Sequence, residues 1–141
     1  MNMTKVKFII IALIAIFAIP FECNAELYRF DGYYINDKTP KNIKEKAEVS
    51  FVDYKGLSSK AVATIDFHLW DSKIGKWKTV DVIITEKPQI NGRKSIYKGH
   101  LKKDSRVNAC VYVDTSTKGK ISFTLVAAGT TIEVKGPIRK G

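Results

Sequence analysis

Two short stretches gather the side chains best suited to chemistry. In Asp66-Phe67-His68-Leu69-Trp70 and Trp77-Lys78-Thr79-Val80-Asp81, polar and aromatic residues recur at every second position. A period of two is the repeat of a β-strand, so each set shares one face. If Trp70 opposes Trp77 across the loop Asp71–Lys76, then His68 opposes Thr79 and Asp66 opposes Asp81. Two indoles would stand side by side, an imidazole would meet a hydroxyl, and two carboxylates would face each other. Paired tryptophans suit stacking on a sugar ring or anchoring a protein partner, because they bury large area at low entropic cost. Facing carboxylates repel unless a cation, a lysine or a shared proton intervenes. At a separation of about 5 Å they would also match the acid and nucleophile of a retaining glycosidase. Asp66, Asp81 and His68 are therefore the catalytic candidates, and Asp66 with Asp81 the candidates for a divalent cation. A flat sheet face rarely excludes water, which weighs against both.

A second constellation is basic. Arg93, Lys94, Lys98, Lys102, Lys103 and Arg106 surround Tyr97. Such a run attracts an acidic protein, an anionic glycan or an envelope surface. An aromatic among cations also belongs to single-stranded nucleic-acid surfaces, but an exported chain argues against that ligand. The bland alternative is a solvated strand edge whose lysines discourage aggregation. His100 has no partner at metal-ligand spacing, and Cys110 has no adjacent histidine to activate it. The chain holds no glycine-rich phosphate loop, no paired-cysteine zinc motif and no serine elbow, so no cofactor is expected.

The elements that position these groups follow a leader. Lys5 and Lys7 precede the apolar run Phe8–Ile19, Pro20 breaks it, and Cys23-Asn24-Ala25 offers a cleavage site. This pattern predicts a secretory signal peptide over residues 1–25. The run is short for a spanning helix, which needs about 20 residues; an uncleaved membrane anchor is the alternative. Residues 26–141 then form one domain. Cleavage after Ala25 leaves Cys110 as the only thiol, read as a buried small hydrophobe or an intermolecular partner. Cleavage after Ala18 would permit a Cys23–Cys110 bridge.

Within the domain, residues 27–35 read as an aromatic-rich strand interrupted at Gly32, and residues 36–48 as a polar loop or short helix. Alternation then predicts strands from residue 49 to 53, 60–70, 77–85, 95–101, 107–114, 121–127 and 131–135. Pro88 and Asn91-Gly92 suggest a short edge hairpin. The first long hairpin pairs Phe67 with Val80, Ile65 with Val82 and Ala63 with Ile84. In the second, Asp114 against Lys120 brings Val113 to Ile121, Val111 to Phe123 and Ala109 to Leu125. Seven or eight short strands without a long helix predict a small antiparallel β-sandwich, with a small β-barrel as the alternative. Strands 27–35 and 131–135 would lie at its edges.

The chain of 141 residues has a formal net charge of +10. Together these features predict a secreted or periplasmic, non-enzymatic binding protein for an acidic macromolecule or envelope surface, of the inhibitor, immunity or adhesin kind. A carbohydrate-binding module built on Trp70 and Trp77 is the second reading. A small hydrolase using Asp66 and Asp81 is the third.

Overall fold

The computed structural model describes residues 26–37, 41–58 and 60–137. The leader, Cys23 and the basic tail after Pro137 lie outside the described residues. Among the described residues, nine strands run in sequence: β1 (Glu26–Asn36), β2 (Ile43–Asp53), β3 (Ala63–Asp71), β4 (Lys76–Ile84), β5 (Gln89–Asn91), β6 (Lys94–Leu101), β7 (Asn108–Asp114), β8 (Lys120–Ala127) and β9 (Thr130–Pro137). Their order in the sheet is β4-β3-β2-β1-β9-β8-β7-β6-β5, with β4 also paired to β6. Eight antiparallel strands therefore close into a barrel, and β5 is an extra strand on the margin of β6. This corrects the sandwich expectation in favour of its alternative. A sandwich and a barrel share the same inward–outward alternation. What separates them is whether the ends of the sheet pair, and here they do: β4 joins β6 from Val82↔Leu101 to Ile84↔Gly99, while β1 meets β9 at Tyr33↔Lys135.

Both closing seams depend on glycine. A Cβ on Gly32 of β1 would strike the Lys135 carbonyl of β9, and one on Gly136 would strike the Asp31 carbonyl in return. At the other seam, a Cβ on Gly99 of β6 would fall on the Ile83 carbonyl of β4. Missing side chains let these backbones approach closely. Gly32 thus lies within an unbroken β1 rather than interrupting it.

The interior is filled by alternate residues. Val49, Ile65, Phe67, Val82, Ile84, Val111 and Phe123 are fully enclosed, and Phe30 packs on Phe123 at a ring separation of 5.1 Å. Eight strands enclose a space that side chains can fill. Burying each large aliphatic or aromatic group stabilises the fold by about 1.5–3 kcal/mol.

The register of the first long hairpin is as expected, from Trp70↔Trp77 to Ala63↔Ile84. The second is displaced by two residues: Asp114 pairs Ser122, Val111 pairs Leu125 and Ala109 pairs Ala127. The cause is local. The Thr115 N–H donates to the Arg93 carbonyl, so β7 runs on beside the β5–β6 turn, and the chain reverses only at Thr117–Lys120. A shift of two preserves which face is buried. The expected loop or short helix over 36–48 is also corrected. Ile43 to Glu48 is strand, paired with β1 from Asn36↔Ile43 onward.

Candidate functional site

The antiparallel registers lay out the outer face of β1–β4 as a grid. One row runs Arg29, Ser50, Asp66, Asp81, and the next Asp31, Glu48, His68, Thr79. The row above joins Tyr33↔Lys46 to Trp70↔Trp77. The two indoles meet edge to face, with ring centres 5.4 Å apart and planes at 63°. Trp70 is half-buried, whereas Trp77 and Tyr33 are each 49 % exposed. A shallow groove of ≈ 400 Å³ lies beside them, lined by Trp77, Tyr33, Lys46, Asp31, Glu48 and Pro137. It combines two aromatic surfaces with two carboxylates and one ammonium. The Lys44 ammonium sits 5.0 Å above the Tyr33 ring, within cation–π range.

The platform is anchored from inside the barrel. The Tyr34 hydroxyl donates to the Trp70 carbonyl at 2.8 Å. Below it, Asn36, Glu45 and Asp71 are buried in one polar network. The Asn36 amide donates to Glu45 at 2.9 Å and to Asp71 at 3.2 Å. Glu45 also accepts from the Ser72 N–H and hydroxyl, and Asp71 accepts from the Lys73 N–H. The Lys78 ammonium lies 3.2 Å from Asp71. Burial opposes charge on both carboxyls. Hydrogen bonds from Asn36 and Ser72 outweigh it at Glu45, and those from Lys78, Lys73 and Asn36 outweigh it at Asp71, so both stay below the usual carboxylate range. Burial, followed by the charges of Glu45 and Asp71, pushes the Tyr34 hydroxyl up to about 12. Among the described residues, no buried side-chain polar atom lacks a partner. This network therefore fixes the β3–β4 turn that holds both indoles. Sequence reasoning missed it, because Glu45 was placed in the polar segment. The available signal was its place two residues before Ala47 and four before Val49, on the same strand face.

The other candidates fall as follows. His68 Nδ1 and the Thr79 hydroxyl are 3.3 Å apart. Asp66 and Asp81 face each other across the hairpin. Burial, then the facing Asp81 carboxyl, pushes Asp66 up to about 6, while His68 and Lys102 partly offset this. Neither carboxyl lines the groove beside Trp77. Among the described residues, no group of three or more histidines, cysteines, aspartates or glutamates is placed to hold a metal ion. The basic run does not stay together. Arg93 and Lys94 stand at the β5–β6 turn, Lys98 on the outer face of β6, and Lys102, Lys103 and Arg106 in the loop beyond its far end. Arg106 is tied to Asp104 at 3.0 Å. Tyr97 points inward and packs edge-on against Phe51 at 5.2 Å. Cys110 is half-buried on β7, between Lys98 and Val126.

No family model matches the chain, and neither does any curated protein or solved structure. The geometry alone identifies a small β-barrel with an exposed aromatic cluster on its outer wall, a form consistent with surface binding.

Proposed function

We propose that the outer face of β1–β4 is a carbohydrate-binding surface. The observation that carries this reading is Trp77, half exposed and braced edge-to-face by Trp70 beside a groove that also presents Tyr33, Asp31, Glu48 and Lys46. A sugar ring offers apolar C–H faces and a rim of hydroxyls. Trp77 and Tyr33 supply stacking surfaces for the former. Asp31 and Glu48 accept hydrogen bonds from the latter, and Lys46 donates. Rigid support from the Asn36–Glu45–Asp71 network lowers the entropic cost of holding the indoles in place. The function is then non-enzymatic retention of a glycan, with no cofactor, in a secreted or periplasmic compartment reached through the leader.

Retention on immobilised polysaccharides tests the reading. Trp77→Ala is expected to abolish retention, and Trp70→Ala to weaken it about tenfold or more, both with unchanged far-ultraviolet circular dichroism. Undiminished retention by Trp77→Ala would end it. Neutral-glycan binding should also vary little between low and high salt, in contrast to an electrostatically steered acidic partner.

A further inference from the structure

The barrel is not fully hydrogen-bonded at its β4–β6 seam. β6 covers only Val82, Ile83 and Ile84 of β4. One step further, the Lys102 N–H donates to the Asp81 carbonyl at 2.9 Å. In an antiparallel strand a residue's N–H and C=O leave on the same side, and successive residues alternate. The Ile84 carbonyl accepts from Val62, on the β3 side. Asp81 points the other way, and so do Thr79 and Trp77. Among the described residues, no backbone hydrogen bond meets Thr79 or Trp77 on that side. The upper half of β4 is thus an open edge, and both residues are exposed there.

We propose that this edge, Lys76–Val80, takes up an acidic extended peptide segment of a partner protein as an added strand. Its backbone would pair with Trp77 and Thr79. The charge of the surroundings selects the partner. Lys76 is exposed at the upper end of the edge, and Lys102 and Lys103 are exposed on the loop that begins beside Asp81. No ion pair among the described residues holds these three. Of the nearby carboxyls, Asp71 pairs with Lys78 and Asp104 with Arg106; Asp66 feels the charge of Lys102, which leaves Lys76 and Lys103 as the cations most open to a partner. A second copy of the chain is disfavoured, because it brings the same net charge of +10. Lysines on an open edge repel such a copy while attracting glutamates or aspartates. The inference is independent of the glycan reading, since it uses backbone groups and the loop lysines rather than the groove.

The test uses fluorescence anisotropy with the full chain and a labelled peptide of about eight residues alternating glutamate and valine. Three comparisons accompany it: the same peptide N-methylated at alternate amides in either phase, a lysine-for-glutamate version, and the Thr79→Pro variant. Proline is tolerated where the lost N–H faces solvent, so Thr79→Pro should fold while blocking strand addition. The expected result is saturable binding of the acidic peptide. N-methylation in one phase should weaken it about tenfold or more, and both the lysine version and Thr79→Pro should abolish it. Equal binding of both N-methylated peptides would reduce the effect to charge alone and overturn the proposal. Absence of acidic-peptide binding, or sedimentation showing two copies joined through this edge, would overturn it as well. Should Thr79→Pro fail to fold, the N-methylated peptides still decide the question on the unaltered chain.

Discussion

Asp66 carries the sharpest electrostatic conflict on the outer wall. It faces Asp81, and burial together with that neighbour raises it from the ordinary 3.8 to about 6. The folded chain therefore holds this proton more tightly than the unfolded chain does. The associated stabilisation is complete below about pH 4 and is lost as pH rises through about 6. Asp66→Asn removes the conflict. It is expected to stabilise the fold at pH 7.5 by roughly 1 kcal/mol after allowance for solvent screening. The gain should vanish below pH 4, as read by urea denaturation at each pH. A pH-independent difference would show that packing, not ionisation, governs the site. The facing of these carboxylates was legible from spacing alone, because it follows from one loop and a period of two. The nearness of the Lys102 charge was not legible, since the β6–β7 loop returns to β4 beside Asp81 only when the barrel closes.

At the scale of strands, the β3–β4 hairpin was readable in full because its loop is short and each inward pair is apolar. The β7–β8 hairpin was readable by face but not by register. Its strand runs on against the β5–β6 turn, a contact from a distant part of the chain. β2 was misjudged at its start because Glu45 breaks the apolar alternation. That carboxylate is tolerated inward because the Ser72 and Asn36 donors meet it at the barrel's end. The seams were also hidden, since a lone glycine in a strand reads as an interruption. Gly99→Ala puts a methyl group onto the Ile83 carbonyl. It is expected to cost at least about 2 kcal/mol and to loosen the β4–β6 seam. Faster amide hydrogen exchange at Val82–Ile84 than in β7 and β8 would confirm the seam as the point of failure. Uniform exchange would place the cost elsewhere.

For the whole molecule, closure is the decisive property. Among the described residues, sixteen buried apolar side chains form one core, drawn from seven of the eight barrel strands. Each strand's inner face is covered only when the ring is complete. A chain ending at Ala128 lacks β9, leaving β1 and β8 as open edges and uncovering Phe123. It is expected to lose the sharp urea transition of the intact chain and to self-associate on gel filtration. A monomer with an unchanged transition would show that the β1–β9 closure contributes little.

Alternation, turn residues and loop lengths are local properties, and they alone determined that this chain is all-β, which side chains point inward, and that Trp70 meets Trp77 while Asp66 meets Asp81. Ring closure, the polar network beneath the indoles, the dispersal of the basic run and the open edge of β4 were decided only by the tertiary structure. Each of these depends on strands far apart in the chain meeting at a particular stagger, and a period of two is the same whether a sheet ends in solvent or closes on itself.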